Sequence, residues 1–475
     1  MALIPPTPHP NSRRAFIQSL SAGLGSVGLL SMLAQQASGE EAAFTEKVPA
    51  EKGRIEKPPG FALPERKAKH NIVLFMQGGP SQMDLFDPKP ALEKYAGQRP
   101  DAVNLRTERT TGGLMPSPFK FQKYGRAGIE VSELLPKLAA EIDDICVVRS
   151  MYTFNPTHNP ARSLFHSGNI GATRPSMGSW LDYGLGSENE NLPGFVVLSQ
   201  GGGSGANARS GFLPSKHQGV GFDCAQTEPE KMIRYLHNKQ LSSPDQRRQL
   251  DLIQQLNRNH ESSFGQDEFL EGRIQAMETA YRMQSEATDA FDIRKEPEAI
   301  RKEYGSSPFA NGCLLARRLV ERGVRSVHVY YGPGQPWDDH NRINKNLRAR
   351  CPDMDQASAT LIRDLKRRGL LDETAVVWGG EFGRTPVSES SDGRDHNPFG
   401  YTMFMAGGGF KGGLCYGATD EFGFRAVENR VSIHDLHATL LHTLGIDHEK
   451  LTYRYAGRDF RLTDVYGQVI HDLLT

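Results

Sequence analysis

The sequence predicts an α/β protein: one mainly parallel β-sheet, covered by helices on both faces, with a helical insertion. Three observations carry this. Six short apolar runs rich in β-branched residues recur along the chain, each ended by Gly, Pro or polar residues. The runs are apolar almost throughout, as strands buried on both faces must be. Amphipathic stretches of helical period separate several of them, which is the alternation that lays helices over a parallel sheet.

The first run is "NIVLFM" (71–76) and the second "DICVVRSM" (144–151), preceded by the helical pattern "VSELLPKLAAEI". "GFVVLS" (194–199) is the third. The fourth, "VRSVHVYY" (324–331), follows "NGCLLARRLVERG", a helix with a charged face whose C′ residue is Gly323. "TAVVWGG" (374–380) follows the helical "DMDQASATLIRDLKRRGLL", and "YTMFMAGG" (401–408) is the sixth run. Residues 226–305 differ, with no strand-like run and Glu, Gln, Arg and Lys at helical spacing. Ser243-Pro244 there reads as N-cap and N1, and Leu250, Ile253 and Leu256 then share a face. The segment is expected to be an insertion packed on the sheet domain.

The 475 residues suffice for one large domain or two ordinary ones. Lys plus Arg and Asp plus Glu both number 56, so no basic excess points to a nucleic-acid partner. Arg13-Arg14 precede Phe16 and an apolar run from Leu20 to Ala34, with small residues at Ala37-Ser38-Gly39. That run is short for a bilayer span, which needs about 20 residues. Residues 1–39 therefore read as a cleavable export signal of twin-arginine type, an uncleaved anchor being the alternative. The expected location is the periplasm or cell surface of a bacterium, with no transmembrane segment after cleavage. Residues 40–69 read as a polar linker or surface-hugging arm, and 70–475 as the main domain. The five cysteines form no CxxC pair, and Cys146 and Cys415 sit in apolar contexts that suggest buried thiols.

In an open parallel sheet, ligands bind beyond the carboxyl ends of the strands. Histidine and carboxylate gather at those ends here. "WDDHN" presents Asp338, Asp339 and His340 behind Trp337, either as ligands for a zinc-like or manganese-like cation or as an Asx-turn. "VVWGGEFGRTP" delivers Glu381, a ligand or general base, with glycines for close backbone approach. Arg384 in it either clamps an anion or pairs with Glu381. "GRDHNP" places His396 just before a strand; with Asp338 and His340 it would complete a three-ligand set with an open position. In "GGPSQMDLFD" the glycine turn could cradle an oxyanion. Ser81 there is a nucleophile without a visible base, and Asp84 and Asp87 are ligands or turn caps. "GGGSG" (201–205) is a weak phosphate nest.

These motifs, in this order, resemble the alkaline phosphatase superfamily, including the sulfatases. "LIRDLKRRGLLDETAVVWGGEFGR" is similar to the sulfatase stretch that delivers "SDHG", and "VSIHDLHATLLHTLGID" to a late helix of those enzymes. More closely, "LFMQGGPSQMDLFDPKP", "RPSMGSWLDYGLG", "WDDHN", "GGEFGRTP", "GRDHNP", "YGATDEFG" and "YRYAGRDFRLTDV" resemble the blocks of the DUF1501 family, exported proteins placed in that superfamily. The resemblance spans roughly 70–470 and implies an alkaline-phosphatase-like three-layer sandwich.

Position by position, it implies that Glu381 stands at a metal-binding aspartate and Phe382 at a metal-binding histidine. Gln77-Gly78 replace a third ligand, for which Asp84 is a substitute. Asp338, His340 and His396 resemble the other metal site. In "THNPARSLFHSGN" (157–169), Pro160, Arg162 and Ser167-Gly168 match sulfatase positions, but the nucleophile position holds His158. No formylglycine, serine or threonine nucleophile can therefore form. His158 is either a metal ligand, the favoured role, or a phosphoryl acceptor. The resemblance implies a divalent-metal hydrolase of sulfate or phosphate esters. Zinc is the first choice of ion and manganese or calcium the alternatives. The substrate is an anionic ester, with a sulfated or phosphorylated carbohydrate as one candidate. Arg162 and Arg384 would clamp the anion. The rival is a non-catalytic binding or assembly protein on the same fold.

Overall fold

The computed structural model describes residues 60–475 apart from Pro64, Leu105, Ala172, Thr173, Ser204, Arg234, Tyr235, His237, Asn238, Lys239 and Gln266. The expected signal segment and residues 40–59 of the linker lie outside the described residues. The described residues of 60–69 hug the body. Leu63 N–H donates to the Gly445 carbonyl (2.8 Å), and Lys67 and Ala68 N–H to that of Thr443 (2.9 and 2.8 Å).

The strands that matter are β1 (His70–Phe75), β2 (Ile145–Tyr152), β3 (Phe195–Ser199), β4 (Val220–Asp223), β5 (Ser326–Tyr330) and β6 (Thr374–Gly379). They are followed by β7 (Gly383–Glu389), β8 (Gly393–Asn397), β9 (Tyr401–Ala406), β10 (Leu414–Tyr416) and β11 (Val431–Ser432). Nine form one sheet in the order β10-β2-β9-β6-β1-β5-β3-β4, with β11 also paired to β2. All six expected runs belong to it. Only β9 runs antiparallel to its neighbours, so the sheet is mainly parallel as expected. β4 was missed because "VGFD" is too short and polar to read as a strand.

The longer helices are α1 (His158–Ser167), α2 (Met177–Leu185), α3 (Ser243–Phe264), α4 (Glu268–Ala290), α5 (Pro308–Val320), α6 (Ile343–Arg367) and α7 (Ile433–Thr443). Strand side chains alternate faces, and the two cores divide accordingly. Ile72, Leu74, Val327, Val329, Val376 and Trp378 meet α5 and α6. Val73, Phe75, Val197, Val377 and Met405 meet α1, α2 and α7. This is a three-layer arrangement. Among the described residues of 226–305 there is no strand, and Phe291, Ile293 and Tyr304 seat the insertion on the α5 side.

Local expectations needed correction. "VSELLPKLAAEI" divides into a strand at Ile129–Ser132 and a single helical turn at Pro136–Ala140; a proline disfavours helical backbone at the residue before it, here Leu135. α6 begins at Ile343 rather than Asp353 and contains Pro352. Ser242, not Ser243, caps α3, its side chain accepting from Asp245 N–H. Leu250 is buried there but Leu256 is 54% exposed, so the apolar face fails after two turns. Gly323 (φ +85°) lies beyond the Glu321 cap of α5. All five cysteines are free, and Cys415 is exposed on β10, not buried.

Candidate metal centre

Beyond the end of β6 the chain does not loop freely. "GRTPVSE" and "GRDHN" fold into the antiparallel hairpin β7–β8, with a register irregularity between Arg394 and His396. His396 is therefore inside a strand, not before one. Such bulges re-aim side chains, and here Arg394 and His396 serve different purposes. Arg394 and Asp84 are both fully buried and paired at 2.8 Å, and Ser81 Oγ donates to Asp84 Oδ2 at 2.5 Å. Asp84 is thus sequestered as an internal counter-ion, not a substitute metal ligand. Ser81 serves it and is no nucleophile. Asp87 pairs with Lys89 (3.0 Å) and accepts from Thr419.

His396 turns instead toward Asp338 and His340, whose loop follows β5. Asp338 Oδ1 lies 3.0 Å from His396 Nε2 and 2.9 Å from His340 Nε2, and the two nitrogens are 3.1 Å apart. Three donor atoms thus form a nearly equilateral triangle. His158, the first residue of α1, joins the group at the other Asp338 oxygen, its ring centroid 4.4 Å from that of His396. Its Nε2 is 3.3 Å from Asp338 Oδ2 and its Nδ1 is 2.7 Å from Glu381 Oε1. Two overlapping sets, His158–Asp338–His396 and His340–Asp395–His396, bring their ligand atoms within 4.8 Å of one another. Phe382 is fully buried, its ring centroid 4.5 Å from that of His396 and 5.0 Å from that of His158.

Each imidazole has a brace on its other nitrogen. Glu389 faces His340 Nδ1, and Glu108, together with the Pro156 carbonyl at 2.7 Å, faces His396 Nδ1. Glu381 faces His158 Nδ1, and the Gly78 N–H donates to both Glu381 oxygens (3.0 and 3.1 Å). The "QGG" turn therefore cradles a carboxylate of the chain itself. Gly78 is indispensable there: at φ +112°, an added Cβ would come 2.6 Å from Asp338 N. Gly379 and Gly380 instead make room for Met403 and for the Met76 carbonyl, not for a ligand.

Arg384 is fully buried. Its guanidinium donates to Asp338 Oδ1 (2.6 Å) and to the carbonyls of Gly78, Gly79 (2.9 Å), Trp337 (3.1 Å) and Arg394 (3.1 Å). It organises the loops and has no face left for a substrate, so its reading as an anion clamp is corrected. Its partner is Asp338, not Glu381. Arg162 is half-buried on α1, one turn after His158, and contacts Asn159. Asp339 turns away to Arg350 and Asn346 (2.8 Å). Trp337 is fully buried beneath the loop. In "GGGSG" the Gly201 N–H donates to Asp223 Oδ1 (2.8 Å).

The electrostatics follow from the geometry. Burial opposes charging His158, but the carboxylates of Asp338 and Glu381 outweigh it and raise the pKa. Burial likewise opposes the His340 charge, and Asp338 and Glu389 reverse it. Asp338 is driven far below the usual carboxylate range: burial alone would raise it, but His158, His340, His396 and Arg384 all favour its ionised form.

The donor set fits a divalent ion. If Nδ1 of His158, His340 and His396 donates to its brace, each Nε2 presents a lone pair toward Asp338. Lone pairs facing each other at 2.9–3.3 Å repel unless a proton or cation lies among them. His158 Nε2 is buried with no aligned hydrogen-bond partner. Ligands at about 2.0–2.1 Å on a tetrahedral ion stand about 3.3 Å apart, and carboxylate-braced histidines are the usual zinc arrangement.

The family model described as "Protein of unknown function (DUF1501)" matches residues 68–474. The chain belongs to the DUF1501 family. No curated protein matches it in sequence. Among solved structures, this DUF1501 chain is similar to the lipoteichoic acid synthase LtaP from Listeria monocytogenes, with 10% identity and TM-score 0.36. The match covers 85% of this chain and 76% of that one. PsFucS1 sulfatase from Pseudoalteromonas sp. matches with 11% identity and TM-score 0.34, over 81% and 69% of the two chains. A mutant of TAB5 alkaline phosphatase with bound magnesium matches with 10% identity and TM-score 0.32, over 80% and 99%.

Three residues of the site escaped sequence reasoning: Asp395, next to His396 in β8, and the braces Glu389 and Glu108. Glu389 ends the first strand of a hairpin read as loop, and Glu108 lies in the featureless "RTERTT". Neither brace carries a local signal, since each acts only by facing an imidazole more than 40 residues away.

Proposed function

We propose that this chain is an exported, metal-dependent hydrolase of sulfate or phosphate esters, acting at one centre rather than at two separated half-sites. The observation that carries the reading is the convergence of His340 Nε2 and His396 Nε2 on one Asp338 oxygen, with His158 Nε2 facing the other. Asp338, His340, His396 and His158 are the residues that would hold the ion, with zinc the first choice. Glu381 is reassigned from ligand to brace, because both its oxygens already accept the Gly78 N–H and one faces His158. When bound, the ion supplies Lewis acidity toward the ester and the attacking water.

The protein's own contribution is positional. Glu381, Glu389 and Glu108 hold the imidazole tautomers, and Arg384 fixes Asp338. Arg162 is the arginine left to receive the anionic group of the substrate, a sulfated or phosphorylated carbohydrate being one candidate. His158 acts as ligand, not phosphoryl acceptor, because its Nε2 points at a carboxylate. Export to the periplasm or cell surface rests on Arg13-Arg14 and the apolar run behind them.

The test is elemental analysis of the purified protein, with turnover of p-nitrophenyl sulfate, phosphate and bis-phosphate measured in parallel. Asp338→Ala should abolish metal and turnover together. Wild-type protein that holds metal but turns over none of the esters would favour the binding-protein reading. The engagement of Arg384 already speaks for that rival by removing one of two expected anion clamps.

A further inference from the structure

The brace on His396 comes from an unexpected place. Glu389 and Glu381 are buried parts of the hairpin region, but Glu108 belongs to a solvent-facing loop, its side chain 34% exposed. The loop is tied to both strands of the β7–β8 hairpin. Gly112 N–H donates to the Ser388 carbonyl (2.7 Å) and Met115 N–H to that of Pro386 (2.9 Å), so residues 112–115 line the edge of β7. From there the chain turns back over the centre. Arg109 N–H donates to Asp395 Oδ2 (2.6 Å), and the Arg109 guanidinium reaches Glu389 Oε1 (3.2 Å), the brace of His340. Through Glu108 and Arg109 one surface loop thus touches the support of both imidazoles.

We propose that Glu108 is a positioning residue for the metal centre, supplied by a surface loop that forms the outer wall of the site. This rests on the reading of that centre as a metal site. The His396 Nδ1–H has two acceptors, the Glu108 carboxylate and the Pro156 carbonyl. The carbonyl alone suffices to keep the proton on Nδ1. What Glu108 adds is negative charge, which makes Nε2 a stronger donor to a cation. Two consequences separate this from a structural role. Removing the charge should weaken metal binding while the tautomer, and so the geometry, persists. The metal-free fold should be indifferent, because the Glu108 side chain is partly exposed and the Pro156 carbonyl still accepts the His396 N–H without it.

The experiment titrates Zn2+ alone into metal-stripped full-length protein against a chromophoric chelator, comparing wild type, Glu108→Gln and Glu108→Ala. The metal-free melting temperature is read in parallel. The expected result is a loss of zinc affinity of about 10-fold or more in both variants, with an unchanged metal-free melting temperature. Equal affinity in wild type and both variants overturns the role of Glu108 and leaves the metal centre standing. A weakened affinity accompanied by a lowered metal-free melting temperature also overturns it, in favour of a structural role. Wild-type protein that takes up no zinc overturns the metal-site reading itself, and this inference with it.

Discussion

Asp84→Asn is the substitution that best separates a buried counter-ion from a metal ligand. The Asp84 and Arg394 side chains are both 0% exposed and paired at 2.8 Å. Arg394 otherwise meets only backbone carbonyls, those of Thr385 at 3.1 Å, Met115 at 3.0 Å and Pro116 at 3.5 Å. Removing the carboxylate charge strands a guanidinium in a dry interior with no compensating anion. Breaking a buried pair from one side costs about 3–5 kcal/mol. Unfolding entropy of about 2.1 cal/mol/K per residue, over roughly 400 residues, converts this to a fall in Tm of about 4–6 °C. The assay is thermal unfolding of metal-free and zinc-loaded protein, with zinc stoichiometry measured on the same samples. The expected result is the same fall in both forms and unchanged stoichiometry. A variant that keeps the wild-type metal-free Tm but loses bound zinc would refute the argument and return Asp84 to the ligand set.

The remaining predictions concern the centre and its rim. Gly393→Ala should lower zinc affinity at least 10-fold, because an added Cβ would lie 2.0 Å from the His340 carbonyl oxygen and must displace that backbone; chelator competition reads it. Arg162→Ala should leave zinc stoichiometry unchanged but cut kcat/KM on sulfate or phosphate esters by about 10–100-fold, the loss of one charged hydrogen bond to the anion. Metal-free protein should lose stability as pH rises through the raised values of His158 and His340. The sign follows from linkage: a pKa raised by folding gives stability that is complete below the unfolded value of about 6.5 and is lost above the folded one. His158→Gln should flatten that Tm-against-pH curve. Zinc affinity should change in the opposite sense, rising with pH as the imidazoles lose their protons.

The sheet was legible because burial on both faces of a parallel strand leaves a local mark, a run such as "TAVVWGG" that no loop would carry. The hairpin β7–β8 left none. It holds Arg384 and Arg394, two fully buried charges, and polar residues at most positions, so its strands read as loops around isolated motifs. The reason is physical: its side chains are satisfied by one another and by distant carbonyls, not by an apolar core. The same reason explains which site residues could be named. Asp338, His340 and Glu381 stand in loops beyond strand ends, His158 at the start of a helix and His396 inside a short strand, and the structure brings these five together. Asp84 and Arg384 stand equally near strand ends, yet their charges are consumed internally, which only the partners Arg394 and Asp338 reveal. Proximity to a strand's carboxyl end therefore marks where a charge can act, whereas its buried partners decide whether it is free to do so. By that criterion Arg162 is the arginine of the expected clamp still available, and Glu108 is the carboxylate that reaches the centre from solvent.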